Sequence, residues 1–505
     1  MKKRQAIIVG AGIGGLVAAI ELAAKGLDVR VFEKSAYPGG KLRTVEIDGR
    51  LIDSGPTVLT MPWIFEEIFA TAGSCLNEHV QLVPSDILAR HAWQDGSRLD
   101  LFADIDQSAQ AITDFADASE ARRYRMFCER ARKVYSTLEH SFMFSQRPGV
   151  ATLIKASGLS GLMDLWRIHP FQSLWRALGQ SFRDQRLRGL FARYATYCGS
   201  SPLLAPATLM LIAHVEQRGV WQITGGMRQL ANALTELLLS HGGQIHYDTS
   251  VDSIQLSDGQ VQGVALASGD DVACDILIAN TDVRAMVAGQ LGASARSAVA
   301  IKPTAQRSLS AVTWSMMART SGFELAHHNV FFPHDYPREF EEIFKHKRLP
   351  ARPAVYICAQ DRGGSVTLDP DVAQEEPERL FLITNAPATG ESDNFGPAAI
   401  EPLEAATMGL LQDCGLHLNI RADQKVLTTP TDFEALVPGT GGALYGTPAH
   451  GWQASFRRPG SRSKVRGLYL AGGSVHPGPG LPMVATSGQL AAAAVLADLG
   501  LTGPA

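Results

Sequence analysis

Apolar positions along this chain fall into short unbroken runs, alternating stretches and faces of helical period. The first run, Ala6-Ile7-Ile8-Val9, is too short for a helix and suits a central parallel strand buried on both faces. A helical pattern over 16–25 follows, closed by Gly26, a frequent helix stop. A second strand is predicted over 29–33, and Asp48-Gly49 marks a hairpin turn between 45–47 and 51–53. Much later, Met227, Leu230, Ala231, Leu234, Leu237 and Leu238 share one face of a helix that opens at Gly225-Gly226 and ends at Gly242-Gly243. Strands over 244–247 and 251–254, a hairpin turning at Asp258-Gly259 and a strand over 275–280 come next. The last apolar strand, 468–471, runs into two glycines, a histidine, a Gly-Pro-Gly loop and a long Ala-rich helix.

Chemistry gathers where these strands turn into helices. GAGIGG at 10–15 places Gly10, Gly12 and Gly15 at the GxGxxG spacing, with Gly14 in the same turn. The first glycine permits the tight turn, the second lets backbone approach a pyrophosphate, and the third lets the helix pack on the strand. Glu33 ends the second strand 18 residues after Gly15, where a carboxylate accepts both hydroxyls of an adenosine ribose and repels a 2′-phosphate. A second glycine pair follows in Pro38-Gly39-Gly40-Lys41-Leu42-Arg43-Thr44, a segment a nicotinamide enzyme does not need. Its backbone can pass close to a cofactor, and Arg43 can face a diphosphate or a flavin edge. At the other end of the chain, Gly472, Gly473, Pro482 and Met483 surround a helix N-terminus, a site for electron-rich groups. Two such turns more than 450 residues apart suit one extended cofactor, with phosphates at one end and a redox ring at the other.

A chain of 505 residues suits two or three interleaved domains, and 45% hydrophobic with 19% charged residues is a globular composition. A net charge of −4 with no basic run argues against nucleic acid. The six cysteines are scattered without a CxxC, which reads as buried thiols in a reducing compartment, and no HExxH or other metal motif is present, so no metal is expected. Met1-Lys2-Lys3-Arg4 and the apolar run after it resemble a signal peptide, but the glycines at 10, 12 and 15 fit a nucleotide turn better, and no cleavage is expected. No uninterrupted apolar run reaches the roughly 18 residues of a spanning helix, so a cytoplasmic protein, free or on a membrane surface, is expected. Residues 140–190 mix Trp166, Phe171, Trp175 and Phe182 with Lys155, Arg167, Arg176, Arg183, Arg186 and Arg188. That mixture suits an amphipathic surface in a lipid interface, or a helical lid over an apolar tunnel.

The motifs together resemble the bacterial phytoene-desaturase type of carotenoid oxidoreductase, and within it the hydroxycarotenoid 3,4-desaturases (methoxyneurosporene dehydrogenases). The glycine pair with Arg43, and Asp53-Ser54-Gly55-Pro56 after it, match flavoproteins of the amine-oxidase and carotenoid-desaturase kind. The likeness extends through Arg193-Tyr194-Ala195-Thr196-Tyr197-Cys198-Gly199, Gly219-Val220-Trp221, His327-His328-Asn329-Val330-Phe331, Asn385-Ala386-Pro387, Ala443-Leu444-Tyr445-Gly446 and the loop from His476 to Pro482. Ser474 stands where the wider amine-oxidase group carries an acid, as suits a carotenoid-type enzyme.

The resemblance implies an α/β fold: a discontinuous Rossmann-type FAD-binding domain (1–80, 220–290 and 460–505) with an inserted α+β substrate domain (81–219 and 291–459). It implies FAD as cofactor, with Val251 against the adenine or simply in the core. It also implies desaturation of an acyclic carotenoid, most specifically 3,4-dehydrogenation of a 1-hydroxy or 1-methoxy carotenoid by hydride transfer to flavin. The terminal electron acceptor would be oxygen or a quinone, and the location the inner face of the cytoplasmic membrane. Tyr194, Tyr197 and Trp221 would line the substrate tunnel or pack in the core. His327, His328, Asp335 and Glu339 would supply a base, bind a terminal hydroxyl or be structural, and no catalytic residue is assigned. The alternatives are a phytoene desaturase, a carotenoid isomerase or oxygenase of the same fold, a soluble amine or porphyrinogen oxidase, and a non-enzymatic prenyl-lipid-binding protein of the GDP-dissociation-inhibitor kind.

Overall fold

The computed structural model describes residues 4–146, 171–301, 305–363 and 376–501. Five parallel strands form its first sheet, in the order Leu468–Leu470, Ile276–Ala279, Gln5–Val9, Asp28–Phe32, Gln244–His246. Gln5–Val9 is central and buried, which explains its unbroken apolar run. The chain leaves it on one side toward Asp28–Phe32 and on the other toward Ile276–Ala279, so the strand order reverses beside it. A crevice opens at the carboxyl ends of the strands at such a reversal.

Three helices cover one face. Ile13–Ala24 packs against Arg228–Ser240 and against the C-terminal helix Leu481–Asp498. The last contact depends on small residues: a Cβ on Gly488 would lie 2.4 Å from the Gly14 carbonyl oxygen. Leu481–Asp498 is long and apolar enough to cross a membrane, yet two-thirds of it is buried here as a core helix, which accounts for its composition.

The second large sheet has seven strands, in the order Leu416–Thr428, Ser310–Gly322, Glu378–Ala386, Val355–Ala359, His328–Phe332, Ile87–Trp93, Arg98–Phe102. All neighbours are antiparallel except His328–Phe332 against Ile87–Trp93. Its strands come from the two segments 81–219 and 291–459, while those of the parallel sheet come from 1–80, 220–290 and 460–505. The hairpin Thr44–Ile47 and Arg50–Asp53 leaves the first sheet and reaches the second, turning through positive φ at Asp48 and Gly49.

In the described part of 140–190, some of the side chains expected in a lipid-interface surface or a lid pack inside the protein. Phe182 is core, stacked on Phe191 at 4.8 Å, and Trp175 is half-buried under the Arg188 guanidinium. Arg186 pairs with Asp184 and covers Phe115. Aromatic and arginine side chains alternate here because they stack on each other. Among the described residues of this segment only Phe171 keeps an exposed ring; Lys155, Trp166 and Arg167 lie outside the described residues.

Candidate cofactor and substrate site

One cavity of about 1040 Å³ joins the two sheets and both glycine turns. At its nucleotide end Gly10, with φ of +97°, turns the chain out of the central strand. A Cβ there would meet the Asn280 carbonyl oxygen at 2.9 Å, and one on Gly12 would meet the Asn280 amide nitrogen at the same distance. Gly15 approaches more closely still: its Cβ would lie 2.2 Å from the Gly10 carbonyl oxygen. Glu33 is buried at the rim of this turn, accepting the Ala11 N–H at 2.7 Å and the Ser35 N–H at 2.9 Å. Val251 borders the same end of the cavity and is also part of a hydrophobic cluster.

The second glycine pair lies directly on the first turn. Gly39 donates its N–H to the Ala11 carbonyl at 2.9 Å, and a Cβ on Gly40 would stand 3.2 Å from the Gly12 Cα. Lys41 Nζ donates to the Leu444 carbonyl, and burial lowers its pKa while Asp282 raises it. Arg43 borders the cavity with its guanidinium committed to Thr428 Oγ1 at 2.9 Å and lying over the Phe433 ring.

At the far end Gly472 and Gly473 enter the cavity together with the first turn of Leu481–Asp498, including Pro482 and Met483. Ser474 Oγ accepts the Val283 N–H at 3.0 Å, which locks the turn to the neighbouring strand's exit. Arg458 donates to the carbonyls of Gly473, Tyr445 and Thr447. Asn280 joins the two ends: its amide group donates to the Gly10 carbonyl at 3.2 Å, and its Oδ1 lies 2.9 Å from where a Gly472 Cβ would sit. Asn280 and Arg458 carry no motif of their own. The pointer to Asn280 is its position at the carboxyl end of a parallel strand beside the reversal.

Gly14 and Gly15 do not line the cavity. They are packing glycines, Gly15 against its own strand and Gly14 against Gly472 and the C-terminal helix, and they set the distance between the two turns.

Beyond the glycine turns the cavity is walled by the seven-stranded sheet (Thr313, Val330, Tyr356, Phe381, Ile383) and by apolar helix residues such as Leu138, Leu209, Ile212 and Val215. Among its lining residues are Phe171 and Trp452, 71% and 37% exposed, whose rings meet edge to face at 5.3 Å. Of Tyr194, Tyr197 and Trp221, nominated from sequence for the substrate tunnel, Tyr197 lines the cavity and the other two do not. Tyr194 is fully buried behind Tyr197, donating to Glu216 at 2.6 Å. Trp221 is turned onto Gly219, its ring 2.4 Å from where a Cβ would be, and hydrogen bonds through its backbone to Leu59. His328 sits behind Tyr356, its Nδ1 2.7 Å from the Tyr356 hydroxyl, which also meets Thr57 Oγ1 at 2.7 Å.

The remaining candidate bases are also set back. His327 pairs with the Arg362 carbonyl, and burial lowers its pKa to about 4. Its Nε2 stands 3.5 Å from Cys358 Sγ, a thiol that burial pushes up. Glu339 accepts the Ala354 N–H and the Asn385 amide, both at 2.7 Å, and burial raises its pKa to about 7. Asp335 is exposed. The polar side chains that do line the substrate half include Tyr197 together with Arg193 and Glu216, two buried residues to which the sequence reading gave no separate role.

FAD fits these residues. The acid at the ribose position, two glycine turns held against one another and two helix N-termini all open on one cavity. A family model described as flavin containing amine oxidoreductase matches residues 13–496. The chain belongs to that family. It is therefore an FAD-dependent oxidoreductase. A hydroxyneurosporene desaturase of Rubrivivax gelatinosus is 48% identical over 99% of this chain and 95% of its own length. A protein of the same name from Cereibacter sphaeroides is 41% identical, with 98% and 97% covered. An oxidoreductase structure from Methanosarcina mazei, 16% identical, superposes with a TM-score of 0.58 over 96% of this chain and 99% of its own, which supports the fold.

Proposed function

We propose that this flavoenzyme desaturates an acyclic carotenoid, introducing the C3–C4 double bond of a substrate oxygenated at C1. One observation carries the reading: the cavity that meets both cofactor turns continues between apolar walls as far as the exposed rings of Phe171 and Trp452, a space that suits a long hydrocarbon. The names of the 48% and 41% identical relatives point to the same substrate class.

When bound, FAD supplies the hydride acceptor that no side chain can provide. The protein's contribution is to hold and to dry. Thr313, Phe381 and Ile383 on the sheet, with Leu209, Ile212 and Val215 opposite, fix the polyene and exclude water from the reacting bond. In the substrate the C3–C4 bond adjoins the polyene, so positive charge left at the allylic carbon spreads over the conjugated system.

Membrane contact belongs to the same proposal. Phe171 and Trp452, exposed at the edge of the cavity, would enter a lipid interface, giving the substrate a path from the bilayer of the cytoplasmic membrane, with oxygen or a membrane quinone as terminal acceptor.

The test is expression in bacteria that make either phytoene or a 1-hydroxylated acyclic carotenoid. A red-shifted pigment two hydrogens lighter, from the hydroxylated strain alone, is the expected result. Conversion of phytoene instead would overturn the substrate assignment, and a gain of oxygen would make the enzyme an oxygenase.

A further inference from the structure

The substrate half of the cavity is apolar apart from a few polar groups, and one buried cluster of these carries charge. The short helices Arg193–Cys198 and Leu211–Gln217 bring Arg193, Tyr197 and Glu216 to its wall, with Tyr194 behind them. Arg193 and Glu216 are 7% and 4% exposed. Burial opposes the charge on Arg193, but Tyr197, Glu216 and Tyr194 around it raise its pKa, so it stays a cation. A wall that only had to hold hydrocarbon would be more stable built from apolar residues of the same volume, because a buried ion pair seldom recovers its desolvation cost.

The donors and acceptors of this cluster do not close on themselves. Arg193 Nη1 donates to the Tyr197 hydroxyl at 2.9 Å, Nη2 faces Glu216 at 3.5 Å, and Nε is buried without a partner among the described residues. Each Glu216 oxygen accepts one tyrosine hydroxyl, Tyr194 at 2.6 Å and Tyr197 at 2.5 Å, and has capacity for another donor. Arg193, Tyr197 and Glu216 all border the cavity, and a cluster there with an unpartnered donor and acceptors with spare capacity suits a ligand oxygen.

We propose that Arg193, Tyr197 and Glu216 bind the oxygen on C1 of the carotenoid, so that this cluster selects oxygenated end groups. The inference rests on the desaturase reading above. A tertiary hydroxyl accepts from Arg193 and donates to Glu216. An ether oxygen can only accept, so a methoxy group engages Arg193 alone. A hydrocarbon end gives the spare donor and acceptors of the cluster no partner, the situation in which a polar site rejects a deoxy analogue most strongly. The anchor also solves a problem of register. Dispersion contacts along a polyene differ little when the chain slides by one carbon. A fixed oxygen, three bonds from C3, determines which bond stops at the reacting position.

The test uses flavin-loaded protein and three substrates that differ only at C1: hydroxyl, methoxy and hydrogen. Binding is read from the shift of the polyene absorption, and kcat/KM from product formation. Wild type should prefer hydroxyl to hydrogen by roughly 10- to 100-fold in both readouts, with methoxy between. Glu216→Gln should lower the hydroxyl-over-hydrogen ratio by about 10-fold or more and bring hydroxyl close to methoxy. Tyr197→Phe keeps both charges and should lower the ratio about threefold or more, and it decides the matter if Glu216→Gln fails to fold or to hold flavin. Variants that retain flavin and lose all three substrates in equal proportion would overturn the proposal. If wild type desaturates none of the three, the desaturase reading fails, and the binding ratio still decides the anchor.

Discussion

Gly488→Ala tests how the cofactor site is held together. Gly488 lies in the middle of the C-terminal helix, where it crosses the helix Ile13–Ala24. An added methyl would stand 2.4 Å from the Gly14 carbonyl oxygen, 3.0 Å from Val17 Cβ and 3.1 Å from the Ala18 nitrogen. Ordinary contact begins at 3.4 Å, so the helices must separate by about 1 Å. Overpacking against backbone costs about 1–3 kcal/mol, or more where the contact cannot yield. The same shift moves Gly472 away from Gly14, so the two halves of the cofactor cradle part together. Flavin content per mole of purified protein should fall, and the melting temperature should drop by about 1 °C for each kcal/mol lost. Gly409→Ala is the control. That helix glycine has open space at the Cβ position, and alanine there should be neutral or stabilise by about 0.5–1 kcal/mol. A Gly488→Ala protein that melts with wild type and carries full flavin would refute the packing argument.

Three further outcomes follow from the same geometry. Glu33→Gln removes the charge from the ribose acceptor and should weaken FAD retention by roughly 10- to 100-fold, measured by flavin loss on dialysis. Glu339, raised from 4.5 to about 7 by burial, is stable as the neutral acid and costs stability once ionised. Wild type should therefore lose stability relative to Glu339→Gln as pH rises from about 5 to 8, on the order of 2–3 kcal/mol in denaturant titrations, and a pH-independent difference would contradict the assignment. Phe171→Glu with Trp452→Glu should release the protein from liposomes of anionic lipid, and unchanged co-sedimentation would remove the membrane contact from the account.

The cofactor site was legible in sequence because its signals are local. A strand, a glycine turn, a helix and an acid fall within about thirty residues of each other, and backbone physics alone dictates their spacing. The hairpin at Asp48-Gly49 and the helix after Met227 were legible for the same reason. Positions set by long-range packing were not. Phe182 and Phe171 carry the same signal, an aromatic ring near arginines, but one is core and the other exposed. Tyr194 and Tyr197 are three residues apart, yet only Tyr197 reaches the cavity. Glu216 meets Arg193 through the fold of two helices, and neither residue belongs to a motif that would link them. Asn280 ends an ordinary apolar strand, and its role at both glycine turns exists only once residues 10 and 472 are adjacent.

Anaerobic mixing of the purified yellow protein with a 1-hydroxylated acyclic carotenoid tests the central claim most directly. The account predicts that the flavin absorbance bleaches in step with a red shift of the polyene, one flavin for each product molecule, and returns when oxygen or a quinone is admitted. Flavin that stays oxidised while bound carotenoid is unchanged would contradict it.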